Sequence, residues 1–171
     1  HWFHARYLMV EGKKMSKSAG TFYTARQLFE LGHEPAAVRL ELIKAHYRAN
    51  VDFSIAGLKA SAKTVERWRT FVRAGEKSPE REQGAGARSA VRTEFAGAMH
   101  DDLNIAGAIG AINRWLGETP EPDAADAELL RTFDAVVGVL ALRGLAKTEF
   151  EIGVFLPGVE RSTEVEGLLA E

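Results

Sequence analysis

Apolar residues occur in this chain first as a short run and then at helical spacing. Tyr7-Leu8-Met9-Val10 contains β-favouring Tyr and Val and predicts a strand ending at Glu11-Gly12. Polar, lysine-rich sequence from Lys13 to Thr21 predicts a loop. Thr24 is placed to cap a helix running to about Leu31, stopped by Gly32, with His33 at the boundary. Pro35 then opens a second helix, whose apolar side is predicted to hold Val38, Leu42, Ile43 and Ala45. Asn50 to Phe53 breaks that pattern and reads as extended. Ser54 opens a long helix to about Arg73, with Leu58, Ala62, Val65, Trp68 and Val72 at three- and four-residue spacing. Three further stripes follow: Val91, Phe95, Ala98 and Met99; then Ile105, Ile109, Ile112 and Leu116; then Leu129, Leu130, Phe133, Val136, Val137 and Leu140. Pro120 and Pro122 separate the last two. The chain is therefore expected to be mainly α, ending in a small helical bundle. Gly75 to Gly86, with Pro79 and many charges, is the expected linker.

Composition narrows this picture only slightly. The chain has 171 residues, 46% hydrophobic and 27% charged, within the range of one globular domain or two small ones. No apolar run approaches the roughly 18 residues of a membrane span, so no membrane partner is expected. Cysteine is absent, which excludes disulfides, a Cys nucleophile and Cys-ligated metal in this chain and fits a reducing, cytoplasmic setting. The opening His1-Trp2-Phe3-His4 lacks an initiator Met, and the closing Glu164 to Glu171 reads as the first turns of a helix. Both ends suggest a piece of a longer protein.

Charge is unevenly placed. Residues 1–73 carry a formal +7 and residues 74–171 a formal −9. A basic first half suits a phosphate-bearing partner there. Lys59, Lys63 and Arg67 recur every four residues and form one ridge on the long helix, suited to tracking a phosphate backbone. The same ridge could equally be the solvated face of an amphipathic helix.

The most informative stretch is Gly12 to Gly20. Small residues at Ser16, Ser18, Ala19 and Gly20 let a loop move and approach a ligand closely, and its lysines are point charges suited to phosphates. Met15 has no use in a solvated charge run but suits a hinge packed on a core. The spacing is not that of a P-loop. Lys14-Met15-Ser16-Lys17-Ser18 is the KMSKS signature of class I aminoacyl-tRNA synthetases. Extended through Ala19-Gly20-Thr21-Phe22-Tyr23-Thr24, it resembles the pattern KMSKSLGNF-x-T of cysteinyl-tRNA synthetases. Ala45-His46-Tyr47-Arg48 with Val51-Asp52-Phe53-Ser54 resembles that family's HYR…NFS segment. Met99-His100-Asp101-Asp102-Leu103-Asn104 resembles its M-D-D-D-F-N segment, and Glu164 to Leu169 the start of its final helical region. Departures fall at Ala19, Thr21, His100 and Ile105-Ala106, and none removes a lysine.

This resemblance implies the end of a Rossmann-type catalytic domain with its KMSKS loop at residues 1–25. It further implies a helical stem-contact region at 26–74, a linker at 75–87, and a helical bundle of the DALR type, tRNA-binding and truncated, at 88–171. It implies an enzyme that activates cysteine with ATP and magnesium and transfers it to tRNA(Cys). Lys17, assisted by Lys14, would stabilise charge on the pyrophosphate leaving group. Met15, Ser16 and Ser18 would complete the ATP-phosphate loop, and Arg48, Lys59, Lys63 and Arg67 would meet tRNA. The family's zinc ligands and most of its cysteine site lie outside this chain, so no metal site is expected here. A related cysteine ligase of mycothiol synthesis and a non-enzymatic helical RNA-binding module are the alternatives.

The remaining candidates have plainer readings. His1 and His4 lack partners at ligand spacing. His46 beside Tyr47 and Arg48 suits packing or hydrogen bonding, and His100 a solvated helix end. Asp101 and Asp102 are placed to cap the helix carrying Ile105 and Ile109. Trp68 and Trp115 are expected in the core, and Trp2 and Phe3, at the start of the chain, are expected to be exposed only as a result of the cut.

Overall fold

The computed structural model describes residues 2, 4–10, 12–15 and 23–142. Its elements are β1 (Leu8–Val10), β2 (Lys13–Lys14), α1 (Ala25–Glu30), α2 (Pro35–Ile43), β3 (Val51–Phe53), α3 (Ile55–Gly75), α4 (Ala85–His100), α5 (Ile105–Glu118) and α6 (Ala124–Val137). The chain is mainly helical, as its periodicity predicts. The expected final helical turns at 164–171 lie outside the described residues.

The strands form one small sheet in the order β2-β1-β3. β1 pairs antiparallel with β2, Met9 opposite Lys14 and Val10 opposite Lys13. It pairs parallel with β3, Leu8 opposite Val51 and Val10 opposite Phe53. Lys13 and Lys14, read as loop from their polarity, are thus the return strand of a hairpin. Two residues carry too little pattern to mark a strand; pairing with the apolar β1 defines them.

Caps fix the helix starts. Thr24 accepts from the Gln27 backbone N–H at 3.1 Å, and the Gln27 side chain accepts from Thr24 N at 2.9 Å. Ser54 caps α3 by accepting from Gly57 N at 3.0 Å. Asn104, accepting from Gly107 N at 2.9 Å, caps α5. Asp101 and Asp102 do not, because Asp101 ends α4 and Asp102 turns toward a different segment.

Two hydrophobic clusters share α2 and α3. The smaller joins Val10, Leu28, Ala37, Val38, Phe53 and Leu58. The larger runs from Ala36 and Leu40 through Val65, Trp68 and Phe71 to the inward faces of α4, α5 and α6. Trp68 and Trp115 lie within it, and Trp115 and Phe133 meet edge to face with ring centroids 6.3 Å apart. Two expected core residues, Leu42 and Val136, are exposed instead. Leu42 is exposed although Val38, one turn earlier on the same face, is buried in the smaller cluster; that cluster does not reach the last turn of α2. Val136 is exposed because it falls just beyond the edge of the stripe of Leu130, Phe133 and Val137.

Buried charges tie the helices together. Glu41, 1% exposed, accepts from Ser61 Oγ at 2.6 Å and pairs with Lys44 at 2.6 Å. Gly57 leaves room for it, since a Cβ there would stand 2.2 Å from the Glu41 carboxylate. At the other end of α3, the residues between α3 and α4 run over the start of α6. Asp123 accepts from Arg81 N at 2.7 Å and from Asp126 N at 3.0 Å, and it pairs with Arg88 at 3.3 Å. Arg88 also pairs with Asp126 at 3.2 Å and donates to Arg81 O at 2.8 Å. Burial alone would push the Asp123 carboxyl up, but these backbone donors and the Arg88 charge hold it below its ordinary value.

A carboxyl depressed in the fold adds stability above the ordinary Asp range and loses it as pH falls through the folded value. Asp123→Asn should therefore cost about 3 kcal/mol near pH 7, typical of leaving a buried partner short of charge. The gap between the two proteins should narrow as pH falls below the ordinary Asp range, because the unfolded chain takes up its proton there while the folded carboxyl is still charged. Urea unfolding at neutral and acid pH measures both; a gap independent of pH would contradict the assignment.

Candidate functional site

The hairpin is the best-defined chemical feature of the first half. Val10 and Lys13 pair across a two-residue connection that includes Gly12, whose φ of +74° an L side chain rarely adopts. Gly12 N donates to Asp52 Oδ1 at 2.9 Å, so β3 holds the hairpin tip as well as its side. Lys14 stands in β2 opposite Met9, and Met15 N reaches Leu8 O at 3.4 Å. The Met15 side chain is half-buried against the smaller cluster, where a packed hinge residue belongs. Tyr23, on the far side of residues 16–22, packs on that cluster too, its ring 6.2 Å from Phe53. The two flanks of the lysine-serine stretch thus rest on one small core. Ser16, Lys17 and Ser18 lie outside the described residues.

Arg48 belongs to a second group. It follows α2 in the turn His46-Tyr47-Arg48. Its Nε donates to Tyr47 Oη at 2.9 Å and lies 3.1 Å from Asp102 Oδ2. Tyr47 Oη in turn donates to Asp102 Oδ1 at 2.6 Å. His46 Nε2 sits 2.9 Å from the Asp102 main-chain oxygen, and its ring stacks on Tyr47 with centroids 4.8 Å apart. The hydrogen bond to Tyr47 and then the Asp102 carboxylate raise the Arg48 guanidinium above its ordinary pKa. The reading of His46 as a hydrogen-bonding residue agrees with this geometry, and His100 is exposed at the end of α4.

Lys59, Lys63 and Arg67 are exposed on α3, opposite the face that buries Leu58, Ser61, Val65 and Trp68. Among the described residues no carboxylate pairs with Lys59 or Lys63. Arg67 Nη2 reaches Asn113 O on α5 at 3.3 Å, so the C-terminal end of the ridge is tied to the bundle. A groove lined by α3 and α6 holds Arg69, Arg73 and Arg131, yet each is paired, with Glu34 at 2.6 Å, Glu66 at 2.5 Å and Glu76 respectively. Three arginines matched by three carboxylates offer an anion no net attraction.

Sequence reasoning assigned no role to Asp52, Tyr23 or Tyr47. Asp52 lies in the segment Val51-Asp52-Phe53-Ser54, but its partner is 40 positions away. No group of three or more His, Asp or Glu among the described residues is arranged to hold a metal ion. No helix among them is long and apolar enough to cross a membrane.

Comparison with known proteins adds a family context to this geometry. Residues 1–63 match the family described as the tRNA synthetases class I (C) catalytic domain. The cysteine–tRNA ligase of Solibacter usitatus is 38% identical over 154 residues, covering 81% of this chain and 33% of that protein. That of Koribacter versatilis is 35% identical over 166 residues, covering 88% of this chain and 33% of that protein. The L-cysteine:1D-myo-inositol 2-amino-2-deoxy-alpha-D-glucopyranoside ligase of Kytococcus sedentarius is 34% identical over 150 residues, 81% of this chain and 34% of that protein. The chain spans about a third of the length of the curated relatives it matches.

Proposed function

We propose that this chain, a homologue of cysteine–tRNA ligases over most of its length, is the C-terminal portion of such an enzyme and carries its ATP-phosphate loop. The observation that carries this reading is the class I match over residues 1–63, which contains the signature Lys14 to Ser18; Lys14 ends a paired strand, and Met15 and Tyr23 pack on one small core. The proposed division places the end of the catalytic domain at 1–25, a stem-contact region at 26–74, a linker at 75–87 and a DALR-type bundle at 88–171.

In the proposed chemistry the cysteine carboxylate attacks the α-phosphate of ATP, and pyrophosphate leaves with both electrons of the broken P–O bond. Charge grows on the leaving group, so cations fixed there stabilise the transition state more than the ground state. Lys17 takes that role, Lys14 assists from the end of β2, and Met15, Ser16 and Ser18 complete the loop. Pairing of β2 with β1, and packing of Met15 and Tyr23 on the smaller cluster, support a loop whose departure points are fixed before ATP arrives. Magnesium would accompany ATP as part of the substrate. Zinc, expected in the complete enzyme, finds no cysteine ligand in this chain and no metal-binding cluster among its described residues, so no step runs through it. The product would be carried to tRNA(Cys) in the cytoplasm, with Arg48 and the Lys59–Lys63–Arg67 ridge facing the nucleic acid.

A second reading follows from the Kytococcus relative, whose printed name gives an amino-sugar acceptor. Both readings share the adenylate and differ in what accepts the cysteine. The complete gene product should catalyse cysteine-dependent ATP–pyrophosphate exchange, and charging of tRNA(Cys) rather than of the glucosaminyl-inositol decides between them. The 171-residue chain alone should show no exchange. In the complete protein Lys17→Ala should lower exchange by about 10²–10³-fold, mostly in kcat, the loss typical of one positioned electrostatic group. Wild-type single-turnover rates in that variant would remove Lys17 from the mechanism.

Replacing Lys59, Lys63 and Arg67 together by Gln should flatten the slope of log K for tRNA against log salt by about two to three units, near one per lost phosphate contact. An unchanged slope with an intact circular-dichroism spectrum would make the ridge a plain solvated face.

A further inference from the structure

We propose that Asp102, in the turn between α4 and α5, is a positioning residue for the hairpin that carries Lys14. It would act through Tyr47, linking the helical bundle to strand β1. Its importance for catalysis rests on the functional reading above; its mechanical role does not.

Three observations converge on it. The side chains of His46, Tyr47 and Arg48 all meet Asp102, two through its carboxylate at 2.6 and 3.1 Å and one through its main-chain oxygen at 2.9 Å. The group lies outside both hydrophobic clusters, with Arg48 and Asp102 side chains 67% and 44% exposed. An exposed ion pair adds little to overall stability, so what this one supplies is geometry. Tyr47, accepting from Arg48 and donating to Asp102, makes the arrangement directional.

The second observation is backbone strain at the same place. Asp102 and Leu103 have φ of +51° and +55°. Such values are disfavoured for any L residue and are unusual for leucine. Burial does not hold Leu103 there, since it is exposed. A strained turn persists where its surroundings over-determine it: Asn104 N donates to Ala98 O at 3.0 Å within the turn, and residues 46–48 hold Asp102 from outside it.

The third observation is where Tyr47 leads. Its main-chain oxygen accepts from Arg6 N at 2.9 Å, two residues before β1. Val51 N, at the start of β3, donates to Tyr7 O at 3.1 Å. β1 then pairs directly with Lys13 and Lys14. One side-chain hydrogen bond and one main-chain hydrogen bond therefore separate the α4–α5 turn from the strand that carries the hairpin. A shift of that turn would be felt at Lys14 without passing through the buried core.

The test combines hydrogen exchange on the 171-residue chain with kinetics of the complete gene product. Asp102→Ala and Tyr47→Phe should each speed amide exchange in residues 6–14 while leaving α5 and α6 protected. Asp102→Asn, which keeps an acceptor for Tyr47 and tolerates positive φ, should stay near wild type. In the complete protein the first two variants should lower kcat for pyrophosphate exchange about tenfold or more, with little change in KM for ATP, and the double variant should resemble either single one. Unchanged protection of residues 6–14 in both Asp102→Ala and Tyr47→Phe would overturn the proposal. Faster exchange there with wild-type kinetics would overturn the positioning role. A complete wild-type protein without cysteine-dependent exchange would defeat the functional reading, and the protection data would still decide whether Asp102 holds the hairpin. If Asp102→Ala fails to fold, Tyr47→Phe, which keeps the stacked ring, carries the test.

Discussion

Burial of Phe53 against Val10 is the contact on which the first half of the molecule depends. Phe53 is 2% exposed, and its strand lies parallel to β1 in a register that sets it opposite Val10. A parallel pair needs a crossover, and α1 and α2 supply it; their inward residues Leu28, Ala37 and Val38 close the cluster over the sheet. Tyr23 packs on Phe53, and Met15 on the cluster that Phe53 completes. Asp52, the preceding residue, points to the other face of the sheet and holds Gly12. One small buried cluster thus organises both flanks of the lysine-serine stretch, with the hairpin tip fixed by Asp52.

The second half stands on α3. Its length, 21 residues, lets one face serve both clusters: Leu58 closes the small one, and Val65, Trp68, Phe71 and Val72 open the large one. Positions of the hairpin and of the bundle are therefore coupled through a stiff element as well as through the exposed Asp102 contact. Buried charges set the angles. Glu41 locks α2 to α3 through Ser61, and the Arg88–Asp123–Asp126 group locks α4 to α6. Such groups add orientation more than net stability, because desolvation offsets much of their attraction.

Helices were legible because their apolar spacing and caps agree: Thr24 and Ser54 mark helix starts in the sequence and perform that task in the structure. Met15 was legible as a packed residue because a methionine inside a charge run has no solvated role. The strand at Lys13–Lys14 was not, since its strand character comes from partners and not from its own residues. Asp102 was read as a cap because acidic residues before an apolar stripe usually are; its actual partners lie 54 to 56 positions away, beyond any local pattern. Glu41 and Arg88 were hidden for a related reason, since charge alone marks a residue as exposed until a partner is placed beside it.

The central claim is that Lys14 and Lys17 face the phosphates of ATP. A lysine-reactive ATP analogue, reacted with the complete gene product and mapped by mass spectrometry, tests it directly. The account predicts that the label falls on Lys17 or Lys14 and that ATP with cysteine prevents it. Label confined to exposed lysines such as Lys59 and Lys63, or label at Lys17 that ATP does not reduce, would contradict it.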